Sequence, residues 1–204
     1  DTKVLRPCCR SFGLPLFRGP PISNGMLEKR RVFRRGYWAQ MAFSIKTINL
    51  ANSARLGISP LPGRGDAGLK DVAAIIHWNP TLMLSMTEMI EMEQHNMGDL
   101  AGMLAPAGID WAHFPIHDFG TPDGVGDWPV LSKHLHSILD GGGSILAHCY
   151  GGQGRSGMVL LRLLVERGVA PPDALASIRG VVPGAVETAA QQALVPEHVP
   201  GAHH

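Results

Sequence analysis

Residues 147–157, Ala-His-Cys-Tyr-Gly-Gly-Gln-Gly-Arg-Ser-Gly, place a thiol and a guanidinium six positions apart across a glycine-rich stretch. The apolar run 144–147 ahead of it reads as a short buried strand, and residues 158–165 behind it read as a helix. Strand, glycine-rich loop and helix N-terminus together make an anion cradle, because backbone N–H groups point into the loop and the helix dipole favours negative charge. Cys149 is a nucleophile only as a thiolate, which a helix N-terminus and a neighbouring cation both favour. Arg155 offers a planar fork of donors that matches two phosphoryl oxygens. Gly151, Gly152 and Gly154 allow φ > 0 and close backbone approach. Ser156 is placed to hydrogen-bond the sulfur and stabilise it as a leaving group, and His148 to orient the loop through its ring nitrogens. Such a site binds a phosphate and attacks it. The plainer alternative is a buried structural cysteine with an arginine nearby. Spacing alone does not separate the two readings, but the flanking histidine, glycines and serine favour the first.

The elements that must hold this loop follow from hydrophobic period. Residues 43–49 alternate like a strand, 70–78 read as a helix, and 81–85 as a short apolar strand. Residues 88–104 read as one helix with Met89, Met92, Met97, Leu100 and Leu104 toward the core, methionine being more often a core filler than a functional stripe. Residues 110–116 predict a strand, 128–139 a helix, and 144–148 the strand beneath the loop. Residues 158–167 then form a helix closed by Gly168, and Pro171-Pro172-Asp173 opens another. Alternating strands and helices predict an α/β fold with a mainly parallel central sheet flanked by helices on both faces.

The 204 residues are 45% hydrophobic and 17% charged, enough for one domain with a sizeable core. The charge is uneven. Residues 1–40 hold nine Lys/Arg against Asp1 and Glu28, a net +7, whereas residues 41–204 hold nine against fifteen Asp/Glu, a net −6. Residues 1–40 are read as a basic, disordered leader, 41–198 as the domain opening at Met41, and 199–204 as a short tail. A basic targeting or nucleic-acid-binding arm is the competing view of the leader. No apolar stretch of secretory length follows a basic start, and no run reaches the roughly 20 apolar residues a membrane span needs. Two of the three cysteines, Cys8 and Cys9, fall in the leader, so there is no disulfide framework for the core. The expectation is a cytoplasmic protein with no nucleic-acid or membrane partner and with its oligomeric state open. The histidines suggest no metal: His113 and His117 lie on a strand where their spacing spreads ligands apart, His134 and His136 face different ways on a helix, and His203 and His204 are terminal.

The cysteine loop resembles the signature loop of the protein tyrosine phosphatase superfamily, His-Cys-x5-Arg-Ser/Thr. Within that superfamily the resemblance is to the kinase-associated group of small dual-specificity phosphatases. Residues 56–63, 115–123 and 183–191 agree with it in order and spacing, and the likeness covers about residues 41–195. It implies a cysteine-phosphatase fold and no cofactor. Cys149 would form a phosphocysteine intermediate. Asp118 would protonate the leaving oxygen and then deprotonate the hydrolytic water, so that one acid serves both steps. Asp123 and Asp127 are rivals for that acid. Gln191, with Gln192 beside it, is the candidate for positioning the water. Tyr150, Gly151, Gly152, Gln153 and Gly154 would line the phosphate site, with no lysine among them, unlike relatives that act on inositol phospholipids. The implied substrate is a phosphorylated protein, at phosphotyrosine or phosphoserine/phosphothreonine, or a small phosphate ester. The alternatives are a catalytically weak module that binds phosphorylated partners, and a sulfur or arsenate transferase using the same kind of loop.

Overall fold

The computed structural model describes residues 43–122 and 126–194. The leader, Met41, Asp123 and the tail lie outside the described residues. The run Ser-Ile-Leu-Ala-His-Cys forms the central strand β5 (Ser144–Cys149), and all six residues are buried. A strand covered on both faces tolerates little else than apolar or fully satisfied residues. It pairs in parallel with β2 (Arg55–Pro60) on one side and β3 (Leu82–Ser85) on the other. Strand β4 (Asp110–His113) continues the parallel sheet beyond β3, and β1 (Lys46–Asn49) runs antiparallel on the outer edge of β2. The order is β1-β2-β5-β3-β4. Register sets Pro60 opposite Cys149, and both Ser59 and Ser85 opposite His148, so the carboxyl ends of three parallel strands open at one place. The crevice beyond such ends, where strand order reverses, is the ordinary ligand site of an open α/β sheet.

Helices cover both faces: α1 (Gly68–Trp78), α2 (Met89–Glu93), α3 (Leu100–Leu104), α4 (Trp128–Asp140), α5 (Gly154–Glu166), α6 (Pro171–Val181) and α7 (Ala189–Ala193). Strand side chains alternate between faces. Ile145, Ala147 and Cys149 therefore pack with Leu135, Leu160, Leu163 and Ile178 of α4, α5 and α6. Leu146 packs on the opposite side with Ile75, Leu100 and Leu104 of α1 and α3. Each fully buried aliphatic side chain of this kind contributes roughly 1.5–3 kcal/mol. Among the described residues no helix is long and apolar enough to cross a membrane.

Three sequence expectations change. The single helix expected over residues 88–104 is two short ones, because Asn96 takes a left-handed φ of 57° and the Asp99 side chain caps α3 at Gly102 N, 3.2 Å away. Met89 consequently faces outward, 38% exposed, while Met92, Met97, Leu100 and Leu104 are buried. The edge strands are shorter than expected, although Phe114 N and Ile116 N still donate to Ser85 O and Met86 O at 2.9 and 3.1 Å and tie the following segment to the sheet. Helix α5 begins at Gly154 rather than Met158, which puts Arg155 and Ser156 in its first turn.

Candidate active site

Cys149 ends β5, 2% exposed, and its Sγ lies 3.3 Å from the Ser156 hydroxyl on the first turn of α5. The loop between them curls tightly. Gly152 sits at φ +70°, and a Cβ there would come within 2.7 Å of the backbone at Ser59 and Pro60, so only glycine fits. The Tyr150 carbonyl points outward and accepts from Leu61 N at 3.3 Å and from Arg64 Nη1 at 2.7 Å. The Arg64 guanidinium also lies 5.1 Å over the Tyr150 ring. Burial lowers the pKa of Arg64, while the nearby Tyr150 and Cys149 oppose that shift.

On the other face of β5, His148 is fully buried, and its Nε2 shares a hydrogen bond of 2.5 Å with Ser85 Oγ. Ser85 Oγ also accepts from Trp111 Nε1 at 2.8 Å, which leaves the serine proton for the ring nitrogen. Burial pushes the His148 pKa down to about 3; the Cys149 backbone opposes this, and the Arg155 and His113 charges add to it. The ring is neutral and acts as a strut between β5 and β3.

Arg155 is the most constrained group in the site, 1% exposed. Glu91 on α2 grips it with both oxygens, 2.7 Å to Nη1 and 3.0 Å to Nη2. Nη1 also donates to Ile116 O at 2.9 Å, and Nη2 donates to Asp118 Oδ1 at 3.0 Å. Burial disfavours the charged guanidinium, but the Glu91 bonds and the charges of Cys149, Glu91 and Asp118 outweigh it and raise its pKa. Burial likewise works against the Glu91 carboxylate, yet Arg155 and the Glu88 backbone bring its pKa below the ordinary value. Glu91 also accepts from Glu88 N at 2.8 Å, so one side chain caps α2 and holds Arg155.

Asp118 is half exposed at the mouth of the loop, followed by Phe119 at φ 60°. Of its rivals, Asp127 serves as the N-cap of α4, accepting from Val130 N at 3.2 Å, and Asp123 lies outside the described residues. Gln191 is fully buried on α7. Its Oε1 accepts from Glu187 N at 2.9 Å and its Nε2 donates to Gly120 O at 3.2 Å, so its amide joins the Asp118 loop to the segment before α7. Gln192 faces solvent. Gly151 and Gln153 are half-buried in the loop, and Gln153 O accepts from Gly157 N at 3.0 Å. A Cβ on Gly154 would collide with the Glu187 carboxylate.

The structure therefore brings together Cys149, Ser156, Arg155, Asp118, His148 and the loop glycines, and it adds Glu91, Arg64 and Glu187, which sequence reasoning missed. Glu91 had a sequence signal in the Glu88-x-x-Glu91 spacing of a capping box, and Glu187 lies within the 183–191 stretch that carries the family resemblance. The arrangement offers a nucleophilic sulfur, a hydroxyl to stabilise it, a fixed guanidinium for anionic oxygens and a carboxyl at the entrance.

The family model Tc-R-P, described as polymorphic toxin system, DSP-PTPase phosphatase, matches residues 67–169. Cyclin-dependent kinase inhibitor 3 of Rattus norvegicus is 35% identical over 104 residues, 50% of this chain and 49% of that protein. The chain thus spans about half the length of the curated relatives it matches. A crystal structure of kinase associated phosphatase, with its catalytic-site cysteine substituted by serine, superposes with a TM-score of 0.66 at 26% identity, covering 78% of this chain and 94% of that one. Tk-PTP in its active form gives 0.57 at 25% identity, covering 70% and 89%.

Proposed function

Because the chain belongs to the DSP-PTPase phosphatase family, we propose that it hydrolyses phosphate monoesters of proteins, at phosphotyrosine and at phosphoserine/phosphothreonine, through a phosphocysteine intermediate. The observation that carries this reading is the reach of Asp118 Oδ1 to Arg155 Nη2, 3.0 Å across 37 positions of sequence. It places a carboxyl over a loop that already holds a sulfur, a hydroxyl and a guanidinium. In the first step Cys149 Sγ attacks phosphorus, the ester P–O bond breaks, and Asp118 gives its proton to the departing oxygen. Arg155 and the loop amides hold the equatorial oxygens, where charge concentrates. In the second step water attacks phosphorus and gives its proton to a carboxylate beside the loop, and the P–S bond breaks. The sulfur leaves as thiolate with the Ser156 hydroxyl donating to it. The thiolate needs reducing surroundings, so a cytoplasmic setting is part of the proposal.

The test is turnover of para-nitrophenyl phosphate with excess EDTA and a reductant. Chelator-resistant turnover is expected, abolished in Cys149→Ser and lowered about 10²–10⁴-fold in Asp118→Ala. Turnover by Cys149→Ser equal to wild type, or loss of activity in EDTA, would overturn it. Folded wild type that binds phosphopeptides without turnover would instead make the chain a binding module.

A further inference from the structure

We propose that Glu187 is a second catalytic carboxyl, the base that takes the proton from the water hydrolysing the phosphocysteine, so that Asp118 and Glu187 divide the two steps between them. This rests on the phosphatase reading above, and it departs from the single-acid scheme that the family resemblance implies.

Three features of the fold deliver Glu187 to the loop. The first is the glycine pattern of α5. Gly154 has no side chain where the Glu187 carboxylate lies, and a Cβ on Gly157 would press within 3.0 Å on Ala185 Cβ and Val186 N. The segment before α7 therefore lies flush on the first turn of α5, beside Arg155 and Ser156. The second is backbone strain. Val186 is held at φ 61°, a region that costs a β-branched residue more than most. It is fixed by its N–H donating to Gln153 O at 3.4 Å and by Arg179 Nη2 donating to its carbonyl at 3.3 Å. Strain of this kind persists where surrounding contacts over-determine it, and such sites cluster at functional groups. The third is Gln191, whose amide is spent between Glu187 N and Gly120 O. It ties Glu187 to the Asp118 loop through one of its two N–H donors, and the Glu187 carboxylate lies against the loop where a Cβ on Gly154 would be.

The local charges suit the role. Burial raises the Glu187 pKa first, and the negative charge of Asp118 raises it further, while the Gly154 backbone and Arg155 act the other way. The groups facing it are thus Asp118 from the β4–α4 loop, and Arg155 and Gly154 from α5. The Asp118 contribution is present when Asp118 is ionised, which is its state after it has protonated the leaving oxygen. Glu187 therefore holds a proton most strongly when the second step needs an acceptor. Water oxygen bonds to phosphorus, the P–S bond breaks with its electron pair going to Sγ, and the water proton goes to Glu187. Being exposed on its outer side, Glu187 then releases that proton to solvent.

The experiment is stopped-flow hydrolysis of para-nitrophenyl phosphate by wild type, Glu187→Gln and Glu187→Ala, with folding checked by thermal unfolding. Expected in both variants is a burst of about one nitrophenol per Cys149, then a steady state about 10²-fold slower. The phosphorylated cysteine should be caught by acid quench and mass spectrometry. Formate should restore turnover to Glu187→Ala. A kcat within twofold of wild type with no burst would overturn the proposal and leave Asp118 to serve both steps. A rise in kcat/KM would also overturn it, making Glu187 an anion that competes with substrate for the loop. If Cys149→Ser turned over as fast as wild type, the phosphatase reading itself would fall, which is a distinguishable result.

Discussion

Removing Glu91 is the sharpest test of how the site is held. Its carboxylate makes two bonds to Arg155, at 2.7 and 3.0 Å, with side-chain exposures of 16% and 1%. Taking one partner from a buried ion pair costs about 3–5 kcal/mol, because the other charge is stranded. Here Arg155 keeps Asp118 and the Ile116 carbonyl, so Glu91→Ala should fall at the lower end, about 3 kcal/mol of unfolding free energy. Glu91→Gln keeps the shape and one acceptor oxygen but turns an N–H toward the guanidinium, so about half that loss is expected. Activity should fall by a comparable amount. With the guanidinium free to swing, a displacement near 1 Å at the phosphoryl oxygens lowers kcat/KM about 10²-fold.

The pH dependence has a definite sign. The folded pKa of Glu91 lies below its ordinary value, because the Arg155 bonds outweigh its burial. A depressed carboxyl pKa stabilises the fold fully above the unfolded value of about 4.3, and that contribution is lost as pH falls through the folded value. The gap between wild type and Glu91→Gln in urea unfolding should therefore be full at pH 7 and shrink below about pH 4. A Glu91→Ala protein within about 0.5 kcal/mol of wild type, the range of an ordinary surface change, would refute the reasoning. So would a gap that stays constant down to pH 3.

Two further outcomes follow from the loop and its strut. Gly152→Ala should abolish para-nitrophenyl phosphate turnover and lower stability, because its Cβ meets the Ser59–Pro60 backbone at 2.7 Å; Gly151→Ala, with no atom within 4 Å of the added carbon, should be tolerated in the same assay. His148 is neutral in the fold with a pKa of about 3, so only the unfolded chain takes up its proton as pH drops below about 6.5. Urea unfolding should show stability falling by up to about 1.4 kcal/mol per pH unit from this group between those values, a slope that His148→Asn removes.

What the sequence discloses is the part of the site that is contiguous. Cys149, Arg155 and Ser156 are fixed by one strand, one loop and one helical turn, and each step has a local cause in apolar residues or glycines. Glu91 reaches Arg155 from 64 positions away, and such a pairing depends on how β3 and β5 lie side by side. Its visible role, capping α2, does not disclose the second one. The helix expected over residues 88–104 failed because its methionines and leucines keep a helical spacing across the break, while the break itself rests on Asn96 and Asp99. The first turn of α5 carries no helical signal in the sequence because glycine is a poor helix former. In the structure, Gly154 and Gly157 are there to admit Glu187, Ala185 and Val186, which no local pattern can show.

The donors of Arg155 set the order of events. Nη1 is committed to Glu91 and the Ile116 carbonyl, and Nη2 to Glu91 and Asp118. A phosphoryl group taking two guanidinium donors in the usual fork needs Nε and one Nη. Glu91 is anchored by its cap on α2 and by burial, whereas Asp118 is half exposed and holds Arg155 by one oxygen. On the proposed reading, substrate displaces Asp118 and leaves Glu91 in place. Phosphate binding and release of the acid are then one event: the carboxyl that must reach the leaving oxygen leaves Arg155 only when a phosphoryl group has arrived to replace it.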